Sequence, residues 1–367
     1  MPIGKIALLN EIAKRLDKIL SDGDYGLELA QLDLDTAALD DLHLQLDRFC
    51  SVDTSDNAWS GFQTLGDIIT WYLNAMNDKK IKRQYSQIVN MPQMALTGLS
   101  ESWLFKEMGD CHWHMLCEDL GLKSNEIFDE FRNRLYATFV RIRFEGTGSL
   151  KHFQENDLLD VTGRIQRFGN SLYFGQVGMV SGDKTITCSL VTTFSTRDSS
   201  CDNHKLTKGV PSTGDSNPVV SVSEMPKMVT DYVKVKKGTV QTVELGGHSF
   251  EVTDQALFEL TYRLNPYTDI NGVGLLYFAA YPLINDYCEL EYFENSGIAE
   301  KHWALASATM TRDIFYFANC NIDDAISYQL HSYQILSDER IALHSSLSRA
   351  SDNALMARIF TIKKLER

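Results

Sequence analysis

The hydrophobic residues in the first part of the chain recur at helical spacing. Three runs follow this period: Ile6, Leu9, Ile12, Leu16 and Ile19; Leu39, Leu42, Leu46 and Phe49; and Ile68, Ile69, Tyr72 and Met76. Thr64, with Asp67 three residues later, is typical of a capping box at the start of the third run. The pattern predicts a small all-α domain over residues 1–78.

After residue 86 the pattern changes to one helix followed by strands. A turn at 98–102 opens a helix that runs to about Leu120, with Ser100 or Ser102 as a plausible N-cap. The buried face of this helix is predicted from four apolar positions: Leu104, Met108, Cys111 and Met115. Alternating polar and apolar residues then predict strands at 136–143, 158–168, 172–180 and 185–194.

The same order returns after residues 195–218, which are polar and are interpreted as a mobile linker. A strand at 258–264 precedes the Asn271-Gly272 turn and an apolar helix. Further strands are predicted at 304–311, 314–318, 325–333, 341–348 and 355–362. A sheet wrapped round one helix resembles the hotdog fold, so we expect an α+β double hotdog with halves at 86–194 and 219–367.

Composition limits the classes of partner and the cellular compartment that we expect. The net charge of −14 argues against nucleic acid, which needs a dense Lys/Arg surface. The seven cysteines are scattered and form no Cys-x-x-Cys pair, which favours free thiols in a reducing cytoplasm. Neither a signal peptide nor an apolar run long enough for a membrane span is predicted.

The most informative motif is the polar turn at 268–274 that leads into an apolar stretch. It resembles the signature of hotdog thioester enzymes, in which backbone N–H groups at the start of a central helix polarise an acyl carbonyl. The resemblance implies that the thioester is bound by five residues: Asp269, Asn271, Gly272, Val273 and Gly274. The alternative is an ordinary helix cap and tight turn.

A wider resemblance runs from Met91 to the end of the chain. The segment 268–287 is similar to the leinamycin-type bifunctional acyltransferase/decarboxylase family of polyketide biosynthesis. The first-half motifs are most similar to a sister group of that family: Met91-Pro92-Gln93-Met94, Leu99-Ser100-Glu101-Ser102-Trp103-Leu104, Gly109-Asp110-Cys111-His112-Trp113 and Leu135-Tyr136-Ala137-Thr138-Phe139. The leinamycin-type activity is therefore inferred across a subfamily boundary.

The family resemblance implies a reaction. A malonyl or methylmalonyl group moves from coenzyme A to the oxygen of Tyr136, loses carbon dioxide, and passes to the phosphopantetheine thiol of a carrier. The partners implied are acyl-CoA and an acyl carrier protein or polyketide synthase carrier domain, without a metal or redox cofactor. Asn271 would assist catalysis, and the turn formed by Gly98, Leu99, Ser100 and Ser102 would help to bind the substrate.

The chemistry of Tyr136 depends on its neighbours. A phenol with a pKa of about 10 needs a cation to become a nucleophile. Strand alternation places Arg134 on the same side as Tyr136, and Arg141 and Arg143 on the other. The alternative for Tyr136 is a strand tyrosine packed in the core.

The N-terminal domain resembles an acyl carrier protein. Leu39-Asp40-Asp41-Leu42 falls where carriers have Asp-Ser-Leu, and 62–68 matches their last-helix motif. Asp41 replaces the serine that carries phosphopantetheine, so a docking or structural role is expected.

Two other interpretations stay open, and a metal site is not expected. With Asp269 as base, the protein could be a thioesterase or dehydratase acting on carrier-bound acyl thioesters. It could also be a non-catalytic protein that binds acyl carriers. His112 and His114 diverge by about 200 degrees on a helix, so they cannot share one ion.

Overall fold

The computed structural model describes residues 5–32, 34–50, 59, 61–79, 83–197, 202–212, 225–297 and 302–365. In these ranges the chain forms helices α1 (Lys5–Leu16), α2 (Thr36–Cys50), α3 (Leu65–Lys79), α4 (Glu101–Leu120), α5 (Lys227–Lys236), α6 (Tyr281–Ser296) and α7 (Trp303–Ala306). The strands of the first half are β1 (Arg83–Ile88), β2 (Met94–Ala95), β3 (Gly98–Leu99), β4 (Tyr136–Gly146), β5 (Leu158–Phe168), β6 (Leu172–Ser181), β7 (Lys184–Thr196) and β8 (Thr207–Gly209). The second half adds β9 (Thr242–Leu245), β10 (His248–Glu251), β11 (Phe258–Arg263), β12 (Ser307–Tyr316), β13 (Ala325–Ile335), β14 (Arg340–Arg349) and β15 (Leu355–Leu365).

Helices α1, α2 and α3 share a hydrophobic core of their own. The predicted capping box is present before α3: the Asp67 N–H donates to Thr64 Oγ1 at 3.1 Å, and the Thr64 N–H donates to Asp67 Oδ2 at 2.8 Å. Helix α1 ends at Leu16, so Ile19 lies beyond the helix and is fully exposed. An N-terminal helical region therefore precedes the sheet, as predicted.

One large antiparallel sheet carries both halves of the rest of the chain. Its strand order is β1-β5-β6-β7-β4-β12-β15-β14-β13-β11, and β8 pairs with β7. The two halves meet where β4 pairs with β12, with Ile142 opposite Ile314. Each half uses one strand, one long helix and four strands in the same spatial order. The double hotdog is confirmed.

The two long helices fill the concave side of the sheet. Helix α4 begins after Ser100, whose Oγ accepts the Trp103 N–H at 3.3 Å, and it ends at Gly121 in the left-handed conformation. The four positions predicted for its buried face are all buried in the main core: Leu104, Met108, Cys111 and Met115. Its boundaries agree with those predicted, because both end signals are local.

A layer that the sequence did not predict covers the outer face of the second half. Helix α5 and the β9–β10 hairpin pack there against Phe315 and Phe360. Beneath them, Arg141 Nη2 lies 2.7 Å from Asp313 Oδ2, and Arg141 Nη1 donates to the Met228 carbonyl at 2.7 Å. Arg143 binds the same carboxylate at 2.6 Å. The ion pairs join β4 to β12, and the hydrogen bond to Met228 ties α5 to these central strands.

Two predicted features differ from the structure. The strands predicted at 304–311 and 314–318 form the single strand β12, preceded by α7. Within the predicted linker at 195–218, β7 continues to Thr196 and β8 pairs with it, while 198–201 and 213–218 lie outside the described residues. None of the described helices is both long and apolar enough to span a membrane.

Candidate functional site

The sequence predicted that the Asn271 turn starts the second long helix, but the structure shows that it does not. Asn271 Oδ1 accepts the N–H groups of Val273 and Leu275 at 3.1 and 3.0 Å, and Ile270 pairs with Leu276. This side chain closes a compact turn, and α6 begins only at Tyr281. The backbone donors expected at a helix start are therefore used within the turn itself.

The side chain of Asp269 stabilises this turn. Its buried carboxylate accepts hydrogen bonds from the Asn265 N–H at 2.7 Å, the Tyr262 hydroxyl at 3.0 Å and the Thr268 hydroxyl at 2.9 Å. Burial raises the pKa of Tyr262, and the negative charge of Asp269 adds to the effect. Asp269 thus holds the loop, and its carboxylate is committed to three donors.

A cavity of about 560 Å³ lies between α4 and the loop before α6. We call it the first cavity, and its lining is Lys106, Gly109, Asp110, Trp113, Ser124, Arg134, Leu135, Tyr136, Ala137, Phe139, Tyr267, Thr268, Ile270, Asn271, Gly272, Val273, Leu275, Tyr277 and Phe278. The structure thus brings Tyr136 to the same cavity as Asn271, Gly272 and Val273. Asp269 and Gly274 do not belong to this lining.

Two arginines lie close to the ring of Tyr136. The guanidinium carbon of Arg134 is 5.4 Å from the Tyr136 ring centroid, and that of Arg197 is 5.0 Å away. Arg197 also donates a hydrogen bond to the Val273 carbonyl. Arg134 is where strand alternation placed it, whereas sequence reasoning missed Arg197, because it assigned that residue to the linker.

The turn leaves two donors available on the cavity side. Gly272 N–H and the side-chain amide of Asn271 donate no hydrogen bond to any residue that the structure describes. Asn271 is half-buried and Gly272 is exposed. These groups could donate to a carbonyl oxygen that becomes negatively charged.

Helix α4 supplies the opposite wall with polar groups that sequence reasoning missed. Lys106, Asp110 and Trp113 lie on one face of the helix, since their spacing is that of successive turns. Asp110 is 64% exposed in its side chain and lies 3.5 Å from His114 Nε2. Lys106 Nζ lies 5.7 Å from the Tyr277 ring centroid. Asp110 is the residue that contributes a carboxylate to the lining of the first cavity.

Gly98, Leu99, Ser100 and Ser102, for which the resemblance implies a binding role, do not line the first cavity. Ser100 caps α4, and Leu99 is fully buried in the core. Gly98 has φ +106°, and a Cβ atom there would meet the Leu150 carbonyl oxygen at 2.4 Å. The turn positions the start of α4, while the cavity lies further along the helix.

The described residues contain no cluster of His, Cys, Asp or Glu that could hold a metal ion. His112 is buried and its Nε2 lies 2.9 Å from Thr192 Oγ1, whereas His114 is on the exposed side of α4. Burial lowers the pKa of His112 to about 3. The two histidines diverge as predicted.

Solved structures share this fold. A putative oleoyl thioesterase from Lactobacillus plantarum aligns with a TM-score of 0.55 at 9% identity, covering 79% of this chain and 99% of that one. The 12:0-ACP thioesterase from Umbellularia californica aligns with a TM-score of 0.51 at 10% identity, covering 78% and 94%. No family model matches the chain, and no curated protein matches it in sequence. These likenesses establish the hotdog fold, and membership of the leinamycin-type family stays a prediction.

Proposed function

We propose that the first cavity is the active site of an enzyme that hydrolyses acyl thioesters. The observation that carries this proposal is that the Asp110 carboxylate and the free donors of Asn271 and Gly272 line opposite walls of one cavity. A general base and an oxyanion site are the two elements that hydrolysis needs. The solved thioesterases with this fold support the same chemistry as a fold-level analogy.

In the proposed reaction, Asp110 takes a proton from water as the water oxygen bonds to the thioester carbonyl carbon. The carbonyl oxygen becomes negative, and the Gly272 N–H and the Asn271 amide stabilise it. The carbonyl then reforms and the C–S bond breaks. The leaving thiolate takes the proton from Asp110, so the products are a free acid and a thiol.

The test is to incubate the protein with a panel of acyl-CoA and acyl-N-acetylcysteamine thioesters and to measure free acid and free thiol. Asp110→Asn should lower kcat by about 100-fold or more, because a positioned general base contributes that much. Glu118→Gln, on the same helix but away from this cavity, is the matched control. Full activity of a folded Asp110→Asn would exclude this base, and absence of free acid with every thioester would exclude hydrolysis.

The second candidate is acyl transfer with decarboxylation, and the place of Tyr136 on the cavity lining, with Arg134 and Arg197 close to its ring, favours it. The Tyr136 oxygen would attack a malonyl thioester, and the C–S bond would break to give a tyrosine ester and a thiol. Loss of carbon dioxide leaves an enolate that takes up a proton. A carrier thiol then displaces Tyr136.

Intact-mass measurement distinguishes the two candidates. Malonyl-CoA or methylmalonyl-CoA with a free-thiol carrier should give a decarboxylated acyl group on the carrier and none with Tyr136→Phe. If free acid forms instead and Tyr136→Phe is fully active, the transfer mechanism is excluded. Capture of a carrier without turnover of any thioester would support the non-catalytic role. Asp41, which is exposed on α2, fits that role because it cannot carry phosphopantetheine.

A further inference from the structure

A second cavity of about 230 Å³ opens where the two half-sheets separate. The pairing of β4 with β12 ends at Arg141 opposite Phe315, next to a register shift in β4. Beyond this point the cavity is lined by 137–140 on one side and by 316–319 on the other. Helix α5 contributes Tyr232 and Lys236 to the lining from the outer face. The second cavity therefore reaches from the outer layer into the seam of the sheet.

The second cavity adjoins the first. The residues that line both are Ala137, Phe139, Asn271, Leu275 and Phe278. Asn271 is the polar member of this shared wall. A ligand that entered through the second cavity would meet the proposed oxyanion donors at its inner end.

Among the described residues, the lining of the second cavity has two lysines, Lys208 and Lys236, together with His204, and no Asp or Glu. His204 Nε2 is already 2.7 Å from Asp324 Oδ2. Lys208 and Lys236 are exposed and make no ion pair with a described residue, and Lys236 Nζ lies 6.0 Å from the Tyr232 ring centroid. In a chain of net charge −14, two lysines without a carboxylate partner, on a lining whose described residues include no acid, favour an anionic ligand.

The helix that bears Lys236 is held in place. The Tyr232 hydroxyl donates to the Tyr316 carbonyl at 3.1 Å, and its ring stacks on Phe317 with centroids 5.8 Å apart. Burial raises the pKa of Tyr232 to about 12. Arg141 fixes the start of the helix through the Met228 carbonyl. The backbone that bears Lys236 is therefore fixed before binding, which limits the cost of binding.

We propose that Lys208 and Lys236 bind the phosphate of a phosphopantetheine arm, and that the arm runs through the second cavity to place its thioester beside Asn271. The direction of the arm rests on the proposed function, whereas the phosphate site rests on the cations and the cavity alone. Coenzyme A and a carrier protein present the same phosphate and the same arm. The proposed site therefore fits either source, because the phosphate and the arm are the same in both.

The test compares phosphopantetheine with pantetheine, which lacks the phosphate, by calorimetric binding and by turnover of the same acyl group on each. The wild type should prefer the phosphorylated form. Lys208→Met and Lys236→Met should each reduce that preference about five-fold, and the double variant roughly twenty-fold, as expected for exposed ion pairs. Lys234→Met, exposed on the same helix but outside the cavity lining, is the control.

The outcomes distinguish failure of the phosphate site from failure of the proposed enzyme activity. Equal binding of both compounds, or an unchanged preference in the double variant, would overturn the phosphate site. Phosphate-dependent binding without turnover would support the site and reject the proposed enzyme. Parallel measurements with acyl-CoA and an acyl carrier protein then identify the source. A larger loss in the double variant with one of them would assign the site to that donor.

Discussion

The Arg197 guanidinium lies over the ring of Tyr136, 5.0 Å from its centroid. The same side chain donates a hydrogen bond to the Val273 carbonyl. Arg197 therefore joins a strand of the first half to the Asn271 turn of the second half. Arg197 thus holds the Tyr136 ring and the Val273 backbone in one arrangement.

Replacing Arg197 should impair the site more than the fold. We expect Arg197→Met to lower kcat/KM for an acyl thioester about ten-fold or more, because it removes a charge-assisted hydrogen bond and the cation beside Tyr136. Arg263→Gln, an exposed arginine on β11, is the control. Equal activity of Arg197→Met and the wild type, with both folded, would contradict the prediction.

The glycines of the turn should differ in their tolerance of a side chain. Gly274 has φ +79°, whereas Gly272 shows no positive φ and has no atom within 4 Å of a built Cβ. Gly274→Ala should lower the free energy of unfolding by about 1–2 kcal/mol, since an L-residue is strained there. Gly272→Ala should change it by less than about 1 kcal/mol. Chemical denaturation of both variants checks the turn, and equal losses would contradict it.

The sequence was most informative where the signal was local. The Ser100 cap and Gly121 bound α4, and the Thr64–Asp67 box starts α3. Strict alternation located β5 over Leu158–Phe168 without error. These features depend on neighbouring residues, so no knowledge of the tertiary structure is needed to find them.

Features that depend on distant partners were missed. Arg312 and Asp313 read as a polar break between two strands, yet both are fully buried. Arg312 pairs with Glu101 on one face of the sheet, and Asp313 pairs with Arg141 on the other, so the strand continues. The Asn271 turn was correctly placed near Tyr136, but its role as a helix start was wrong. The side chain of Asn271 takes up the donors, and spacing alone cannot show this.

The pair formed by Asp313 and Arg141 should be important for stability. Both side chains are essentially inaccessible, so Asp313→Asn would leave a buried guanidinium poorly compensated and cost about 3–5 kcal/mol. The exposed pair of Asp338 and Arg340 is the control, where Asp338→Asn should cost less than about 1 kcal/mol. Urea unfolding measures both, and similar losses would contradict the prediction.

The same carboxylate should contribute to acid sensitivity. Burial alone would raise the pKa of Asp313, but pairing with Arg141 and Arg143 outweighs it and the pKa is lowered from its ordinary value of 3.8. The stabilisation is therefore complete above that value and is lost as the pH falls through the lower folded pKa. Asp313→Asn should flatten the decline in stability below about pH 4. An unchanged acid profile would contradict this assignment.

The burial of His112 should also make stability depend on pH, in a higher pH range than Asp313 does. Burial lowers its pKa from 6.5 to about 3, so between these values the unfolded chain binds a proton that the folded chain does not. Stability is then full above about pH 6.5 and falls by about 1.4 kcal/mol for each pH unit below it. His112→Asn should reduce the slope by that amount, although the buried His331 and His344 still contribute. Unfolding free energies at pH 4, 5, 6 and 7 test this, and equal slopes for His112→Asn and the wild type would show that His112 is not held neutral by burial.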